Sequence, residues 1–293
     1  MISILITAYR EPTTVGKAIE AFLAQLPEDA ELLVVAPDPE TTAVVEEYAR
    51  RYPVVRHVLD PQRGKPTALN FGLQAARGEI IVFSDGDVVV EPGALEALLR
   101  PFADPQVGAV SGRPVSASPR ETVLGYWSQL LTDSAHAVRA ARAAAGGFLV
   151  CSGYLFAVRR AVLTPVPADA LSEDAVISHR IAEQGYRIGY APEARVRVKY
   201  PTTYRDWLRQ KVRSAGGYAQ DYVRRSPVQM RSAWLEIRYG TALALRYPRN
   251  ARELLWTLLL FLARLHLWLL VLLNVRIRKM QFTELWQRVE TTK

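Results

Sequence analysis

Two aspartates that flank a single glycine follow an apolar run and give this sequence its sharpest chemical signal. Residues 80–84 are Ile-Ile-Val-Phe-Ser, and Asp85, Gly86 and Asp87 come directly after them. Carboxylates on a tight turn at the carboxyl end of a strand form a hard oxygen site of the kind that Mg²⁺ or Mn²⁺ prefers. A metal there would neutralise the negative charge that develops on a departing diphosphate. Taken alone, the motif also fits a solvated acidic turn.

Three other segments carry residues that suit the same chemistry. Arg63-Gly64-Lys65 precedes a predicted helix, and a lysine at a helix N-terminus suits an anion, although the spacing is not that of a Walker loop. Ser172-Glu173-Asp174 opens another predicted helix with two carboxylates, which also fits ordinary capping by Ser172. Gln210 and Arg213 lie three residues apart and therefore share one face of a helix.

The elements that must position these residues alternate between apolar runs and helical patterns. The predicted strands are residues 2–7, 31–36, 54–59, 79–84 and 108–111, and the predicted helices are 14–26, 41–51, 66–77 and 92–101. This alternation predicts an α/β fold with a largely parallel sheet, whose ligand binds at the carboxyl ends of the strands. A basic, aromatic helix is predicted over residues 202–225.

The composition excludes several classes of protein. The chain has 293 residues, of which 49% are apolar and 23% charged, so it is neither disordered nor collagen-like. Cys151 is the one cysteine, which excludes an internal disulfide framework and a cysteine-based zinc cluster. The apolar run at the start is too short for a secretory signal, so we expect the catalytic part to lie in the cytoplasm.

The basic excess lies in the last third of the chain. Residues 201–293 carry 17 Lys and Arg against 6 Asp and Glu (+11), whereas residues 1–200 carry 20 against 23 (−3). This asymmetry indicates a polyanionic partner, either a membrane surface or a nucleic acid. The charges are interleaved with leucines and do not form an exposed stripe. The pattern therefore favours membrane lipids over nucleic acid.

A leucine-rich segment near the end supports the membrane interpretation. Residues 254–273 contain twelve leucines, and their polar residues are Thr257, Arg264 and His266. Twenty residues suffice to cross a bilayer core of ~30 Å. A central arginine costs roughly 2.5–3.5 kcal/mol, and twelve leucines at about −0.5 kcal/mol each outweigh it. We therefore predict a membrane helix; the alternative is a buried hairpin or dimer helix of a soluble protein.

The ordered motifs resemble those of the family 2 glycosyltransferases with a GT-A fold, in particular their cellulose-synthase-like branch. They read ITAYRE, RGKPTALN, SDGD, SGYLFAVRR, SED and QKVR, and they cover roughly residues 1–220. The resemblance implies a Rossmann-like catalytic domain over residues 1–200 and an amphipathic interface helix over 201–228. It also implies a membrane-embedded region with a C-terminal tail over 229–293.

The resemblance assigns the nucleotide-sugar site to the first half of the chain. Ala8, Tyr9 and Glu11 at the end of the first strand, together with Asp38 after the second, would hold the nucleoside. Lys65 would face the diphosphate.

Metal binding and catalysis are assigned to the two acidic motifs. Asp85 and Gly86 would contact the nucleotide sugar, and Asp87, with Asp85, would ligate Mn²⁺ or Mg²⁺. Asp174, next to Glu173, would be the general base that takes the proton from the acceptor hydroxyl in a single inverting displacement.

The basic helix is assigned to the diphosphate and the acceptor. Gln210 and Arg213 would clamp the diphosphate. The family usually continues this motif with a tryptophan on which the acceptor sugar stacks, but here the position is Ser214, and the nearest aromatic is Trp207. The departure favours addition of one sugar over polymer growth.

These implications predict a membrane-bound, metal-dependent transferase that moves one hexose from a nucleotide sugar to a lipid-linked acceptor. GDP-mannose is favoured over a UDP-hexose by likeness to small archaeal-type membrane mannosyltransferases that use polyprenyl (dolichyl-type) phosphate. Residues 34–38, Val-Val-Ala-Pro-Asp, lack the acidic residue usual at the strand end, which leaves uridine and guanosine open. The alternatives are a processive UDP-sugar polysaccharide synthase and an inactive, basic membrane-surface binding module.

Overall fold

The computed structural model describes residues 1–218, 220–228, 241–273 and 291–292. In this part of the chain the strands are β1 (Ile2–Thr7), β2 (Ala30–Val35), β3 (Val55–Val58), β4 (Ile80–Asp85), β5 (Val88–Val90), β6 (Val107–Ser116), β7 (Leu155–Arg159) and β8 (Arg187–Val198). They form one sheet in the order β3-β2-β1-β4-β7-β6-β8-β5.

The helices of the described residues are α1 (Val15–Leu23), α2 (Pro39–Arg51), α3 (Lys65–Ala75), α4 (Ala94–Leu99), α5 (Val123–Ala144), α6 (Glu173–Glu183), α7 (Tyr204–Gly217), α8 (Asp221–Arg224), α9 (Thr241–Arg246) and α10 (Ala251–Val271). Several begin at the capping residues that helix chemistry favours. Asp38 accepts the Thr41 N–H at the start of α2, and Asn250 accepts the Glu253 N–H at the start of α10.

The sheet is mixed, and its parallel part positions the candidate site. β1 pairs in parallel with β2 and β4, and β2 pairs in parallel with β3, whereas β7 is antiparallel to both of its neighbours. In register, Thr7 lies beside Val35 on one side and Asp85 on the other. Because parallel strands end at the same edge, the residues that follow β1, β2, β3 and β4 lie close together.

The apolar runs of these strands are buried on both faces, as is typical of a parallel sheet covered by helices. Ile4 and Ile6 pack with α1 and α4 residues on one face, and Leu5 packs with α3 and α6 residues on the other.

Some boundaries differ from the sequence prediction, and packing explains two of them. The predicted helix 66–77 ends at Ala75, and Gly78 is needed because a Cβ there would lie 2.4 Å from the backbone nitrogen of Ser3. The predicted helix 202–225 is two helices, α7 and α8. α7 ends at Gly217, where a Cβ would lie 2.2 Å from Oγ of Ser172.

The leucine-rich helix α10 packs on α5 and α7 along one side. Glu253 forms a bidentate ion pair with Arg120, with N···O distances of 2.8 and 2.9 Å. The hydroxyl groups of Tyr126 and Thr257 form a hydrogen bond of 2.6 Å. The other side of α10 exposes large apolar side chains, among them Leu258, Leu262 and Leu265. Among the described residues, α10 is the helix that is long and apolar enough to cross a membrane. The predicted segment 229–293 lies partly outside the described residues.

Candidate active site

A cleft of about 630 Å³ opens at the carboxyl edge of the parallel strands. Its walls come from the ends of β1, β2 and β4, from the loop between β3 and α3, and from the first residues of α6 and the middle of α7. A volume of this size fits a small-molecule ligand. The cleft lies where the sequence pattern placed it.

A chain of charged contacts crosses this cleft. The Thr7 hydroxyl donates to Oδ1 of Asp85 at 3.1 Å, and the Lys65 ammonium lies 2.6 Å from the same oxygen. Lys65 also lies 2.7 Å from Oε1 of Glu173. One lysine therefore joins the end of β4 to the start of α6.

The charged groups of Lys65, Asp85 and Glu173 stabilise one another. Burial alone would lower the pKa of Lys65, but the carboxylates of Asp85 and Glu173 outweigh burial and raise it. Burial would raise the pKa of Glu173, but the Lys65 ammonium outweighs burial and lowers it. Both side chains are therefore charged at neutral pH.

Asp174 lies beside these charged residues, and two backbone N–H groups hold its carboxylate. Its Oδ2 accepts the Gly153 N–H at 3.0 Å, and its Oδ1 accepts the Ala175 N–H at 2.9 Å. Burial and, second, the charge of Glu173 raise the pKa of Asp174 to about 6. A carboxyl that gives up its proton near pH 6 has the strength expected of a general base near neutrality.

The capping interpretation of the Ser172-Glu173-Asp174 motif is wrong. Ser172 occupies the position before α6, but its side chain makes no capping hydrogen bond. Its hydroxyl instead donates to the backbone oxygen of Ser214 at 3.5 Å. The motif therefore joins α6 to α7.

A second contact holds the segment that follows α7 against the residues before α6. The Gln220 side chain accepts the Leu171 N–H at 2.7 Å and donates to the Asp169 carbonyl at 2.7 Å. Within α7, Gln210 and Arg213 both face the cleft. Oε1 of Gln210 is buried and has no hydrogen-bond partner among the described residues.

The loop after β1 is built around Asp38 and Gly86. Arg10 has a left-handed φ of 52°, and its N–H donates to Oδ2 of Asp38 at 2.7 Å. A Cβ at Gly86 would lie 2.5 Å from Oε2 of Glu11 and 2.7 Å from Cβ of Ala8. The turn between the two aspartates therefore needs glycine because it lies directly against the end of β1.

Nine of the predicted site residues line the cleft. They are Ala8, Tyr9, Glu11, Lys65, Asp85, Asp87, Glu173, Gln210 and Arg213. They come from the loop after β1, the start of α3, the end of β4 and the turn after it, the start of α6, and α7, so the structure brings all four motifs together.

Five predicted site residues lie outside the cleft lining: Asp38, Gly86, Asp174, Trp207 and Ser214. Trp207 is only 2% exposed, and its indole ring centroid lies 5.3 Å from that of Trp127 in an aromatic cluster between α5, α7 and α10. Trp207 is therefore packed inside the protein and offers no ring surface to the cleft. Ser214 instead meets Ser172 through its backbone.

Six polar residues of the cleft were not singled out from the sequence: Thr7, Asp60, Gln62, Tyr154, Lys199 and Thr292. Thr7 and Asp60 follow the ends of strands, which is a usable signal. Tyr154 lies within the SGYLFAVRR motif, and its pKa is raised by burial and then by the nearby charges of Asp87 and Asp85. Lys199 follows β8, which the sequence pattern did not predict.

The fold and the cleft together define the class of protein. The chain carries the GT-A fold and the catalytic domain of a nucleotide-sugar glycosyltransferase, which confirms the predicted fold and the predicted enzyme class. The chain belongs to the family described as "Glycosyltransferase like family 2", whose model matches residues 1–217.

Solved structures and curated relatives agree with this assignment. A mannosyltransferase from Pyrobaculum calidifontis, in complex with GDP-mannose and Mn²⁺, superposes with a TM-score of 0.63 at 22% identity over 97% of this chain and 82% of that one. Glucosyl-3-phosphoglycerate synthase from Mycobacterium tuberculosis gives 0.54 at 19% identity over 78% and 81%.

Among curated proteins, poly-β-1,6-N-acetyl-D-glucosamine synthase of Staphylococcus aureus is 26% identical over 223 residues, which are 74% of this chain and 54% of that protein. The chain therefore spans about half the length of the curated relatives it matches.

Proposed function

We propose that this protein transfers one hexose from a nucleotide sugar, with GDP-mannose as the leading donor, to an acceptor linked to polyprenyl (dolichyl-type) phosphate. One observation carries the proposal. The cleft joins an acidic turn suited to a metal with basic groups suited to a diphosphate, namely Asp85 and Asp87 opposite Lys65 and Arg213. The mannosyltransferase with GDP-mannose bound has the same fold, and this favours that donor.

Asp87 and Asp85 would hold Mn²⁺ or Mg²⁺ in this proposal. Lys65 and Thr7 both contact Oδ1 of Asp85, and this leaves Oδ2 for another ligand. The described residues contain no group of three or more His, Cys, Asp and Glu side chains that could hold a metal. Two carboxylates therefore fit a metal whose remaining ligands are phosphate oxygens and water. When bound, it would stabilise the charge of the departing diphosphate.

Side chains of the protein would bind the diphosphate and accept the proton. Gln210 and Arg213 would hold the diphosphate, since both face the cleft from α7. Lys65 would add positive charge on the same side. Asp174 would take the proton from the acceptor hydroxyl, which suits a carboxyl with a pKa of about 6. Glu173, held by Lys65, would keep that pKa raised.

The leucine-rich helix supports an acceptor at a membrane. The exposed side of α10 carries Leu258, Leu262 and Leu265, each at least half exposed, whereas the other side packs on the catalytic part. A large apolar patch on a protein surface marks a membrane or protein contact. We propose a membrane location with the cleft on the cytoplasmic side.

A panel of donors tests the proposal. GDP-mannose, UDP-glucose and UDP-N-acetylglucosamine are incubated with the protein and Mn²⁺ or Mg²⁺ in detergent. The acceptor is omitted, or is a sugar linked to a short polyprenyl phosphate, or is that polyprenyl phosphate alone. We expect release of GDP that requires both metal and acceptor, and Asp87→Asn serves as the inactive control. No release from any donor would contradict the proposal.

A processive polysaccharide synthase is the second candidate, and the relative from Staphylococcus aureus favours it. The serine at position 214 and the buried state of Trp207 argue against it, since neither offers an open aromatic surface to a growing chain. A ladder of products in the same assay would identify the synthase.

A further inference from the structure

Asp60 occupies the end of the cleft that lies furthest from the metal-binding motif along the sheet. It follows β3, the edge strand, whereas Asp85 ends β4 and Asp87 follows it. Strands β2 and β1 lie between β3 and β4. Asp60 lines the same cleft and is only 7% exposed. A buried carboxylate here needs hydrogen-bond donors.

The protein supplies Asp60 with fewer donors than a buried carboxylate needs. Oδ1 accepts the N–H of Gln62 at 2.7 Å, but Oδ2 is buried without any hydrogen-bond partner among the described residues. Asp38, which is 5% exposed, shows the contrast, because its two oxygens accept the N–H groups of Arg10 and Thr41.

The titration of the two carboxyls follows from this difference. Burial raises the pKa of Asp60, and its single N–H does not offset that effect. Burial acts in the same direction on Asp38, but its hydrogen bonds outweigh burial and lower its pKa. An incomplete set of donors at the wall of a ligand cleft indicates that the ligand supplies the missing one.

The layout of the cleft identifies which part of the ligand arrives there. Asp174, the proposed base on α6, accepts the N–H of Gly153 just before β7, and β7 pairs with β4 on the side away from β3. The transferred sugar must lie near that side, so the nucleoside extends the other way, over the ends of β1 and β2 toward Asp60. Tyr9 lies at this end as well, since its hydroxyl accepts a 3.4 Å hydrogen bond from Gln62.

We propose that Asp60 recognises the donor's nucleobase and selects guanine, an inference that rests on the proposed function. An ionised carboxylate only accepts hydrogen bonds. Guanine presents two adjacent donors on one edge, the ring N1–H and the N2 amino group. Uracil presents one N–H between two carbonyl oxygens, and adenine presents an amino group beside an acceptor nitrogen. A carboxylate can therefore accept two hydrogen bonds from guanine, whereas it can accept one from uracil or adenine and then lies against a neighbouring acceptor atom.

Binding of free nucleoside diphosphates to the full chain directly tests whether Asp60 selects guanine. Calorimetry with Mn²⁺ compares GDP, UDP, and inosine diphosphate, which lacks the N2 amino group. We expect inosine diphosphate to bind about tenfold more weakly than GDP, and UDP more weakly still. Equal binding of UDP and GDP would overturn the role of Asp60 and leave the transferase proposal standing, whereas no binding of any diphosphate would overturn the proposed function itself.

Replacing the Asp60 carboxylate with an amide should increase the affinity for a different base, xanthine. Asp60→Asn places an N–H₂ donor where xanthine has a C2 carbonyl, so the variant should bind GDP about tenfold to hundredfold more weakly and xanthosine diphosphate more tightly than the parent does. Asp29→Asn, at the opposite edge of the sheet, is the matched control and should change neither. An equal loss of affinity for all diphosphates in Asp60→Asn would assign Asp60 a structural role. If the variant does not fold, the preference of the parent protein among the bases still tests the proposal.

Discussion

The ammonium nitrogen of Lys65 lies 2.7 Å from a carboxylate oxygen of Glu173, and these are the first residues of α3 and α6. A lysine at a helix N-terminus is disfavoured by the helix dipole, and the two carboxylates that it contacts offset this cost. The ion pair closes one side of the cleft and sets the charge environment of Asp174.

Lys65→Met should destabilise the fold at pH 7, because it leaves Asp85 and Glu173 close together without their cation. We expect a loss of about 1–3 kcal/mol in the free energy of unfolding. The pKa of Glu173 is held below its ordinary 4.5, so the contribution of this pair is present above that pH and is lost as the pH falls through the folded-state value. Urea unfolding at pH 7 and pH 4 should show a smaller loss at pH 4. An equal loss at both would mean that packing, not charge, explains the effect.

Asp87→Asn should lower turnover by at least about a hundredfold, because it removes a proposed metal ligand. EDTA should inhibit the parent enzyme, and added Mn²⁺ should restore it. Asp221→Asn removes a carboxylate from the exposed helix α8 and is the matched control. Full activity of the parent in EDTA would contradict the metal proposal.

Asp174→Asn should lower turnover by roughly 10²–10⁴ if Asp174 is the general base, with little change in nucleotide affinity. The parent's rate should rise with pH through about 6 and then level off, because the base works only when ionised. If the acceptor is itself a phosphate, it is already ionised and needs no base. A near-normal rate for Asp174→Asn would indicate that kind of acceptor.

The same carboxyl has a predictable effect on stability. Its folded-state pKa of about 6 lies above its ordinary 3.8, so the folded protein holds this proton more tightly than the unfolded chain does. The contribution of Asp174 to the free energy of unfolding should therefore fall as the pH rises from about 4 to about 6. Comparing the pH dependence of unfolding in the parent and in Asp174→Ala isolates it, and identical curves would contradict the raised pKa.

The pair Arg120–Glu253 should anchor the leucine-rich helix to the catalytic part. The two side chains are 14% and 7% exposed, and a guanidinium that faces a carboxylate through two hydrogen bonds is a strong geometry. Glu253→Ala should cost about 3–5 kcal/mol because Arg120 is left buried without its partner. Limited proteolysis should then cleave the chain near Arg249 more readily. The double variant Arg120→Met/Glu253→Met should recover much of the loss if the charge is the cause.

The product should carry one added sugar even at high donor concentration. Ser214 offers no aromatic face, and Trp207 is packed against Trp127, so no stacking surface retains the product at these two positions. Mass spectrometry of the extended acceptor should show a single increment. Trp207→Phe should reduce stability without changing product length. A ladder of products from the parent would favour the synthase instead.

The sequence by itself determined the parallel part of the fold and most of the cleft. Apolar runs of strand length, separated by helical patterns, place β1, β2, β3 and β4 with their carboxyl ends together, and the residues that follow these strands must then meet. The positions of Asp85, Asp87 and Lys65 follow from this rule. Gln210 and Arg213 were found because three-residue spacing defines one face of a helix.

Only the tertiary structure decided which residues face the cleft and which face a neighbouring helix. Trp207 is on the same helix as Gln210, but contact with Trp127 on α5 buries it, and no local pattern reports that contact. β8 was missed because charged residues interrupt it. Asp38 and Asp60 both follow strands and look alike in the sequence. Asp38 accepts the local N–H of Thr41 and the distant N–H of Arg10, whereas one oxygen of Asp60 has no donor among the described residues. Only the folded chain fixes where the distant donor lies.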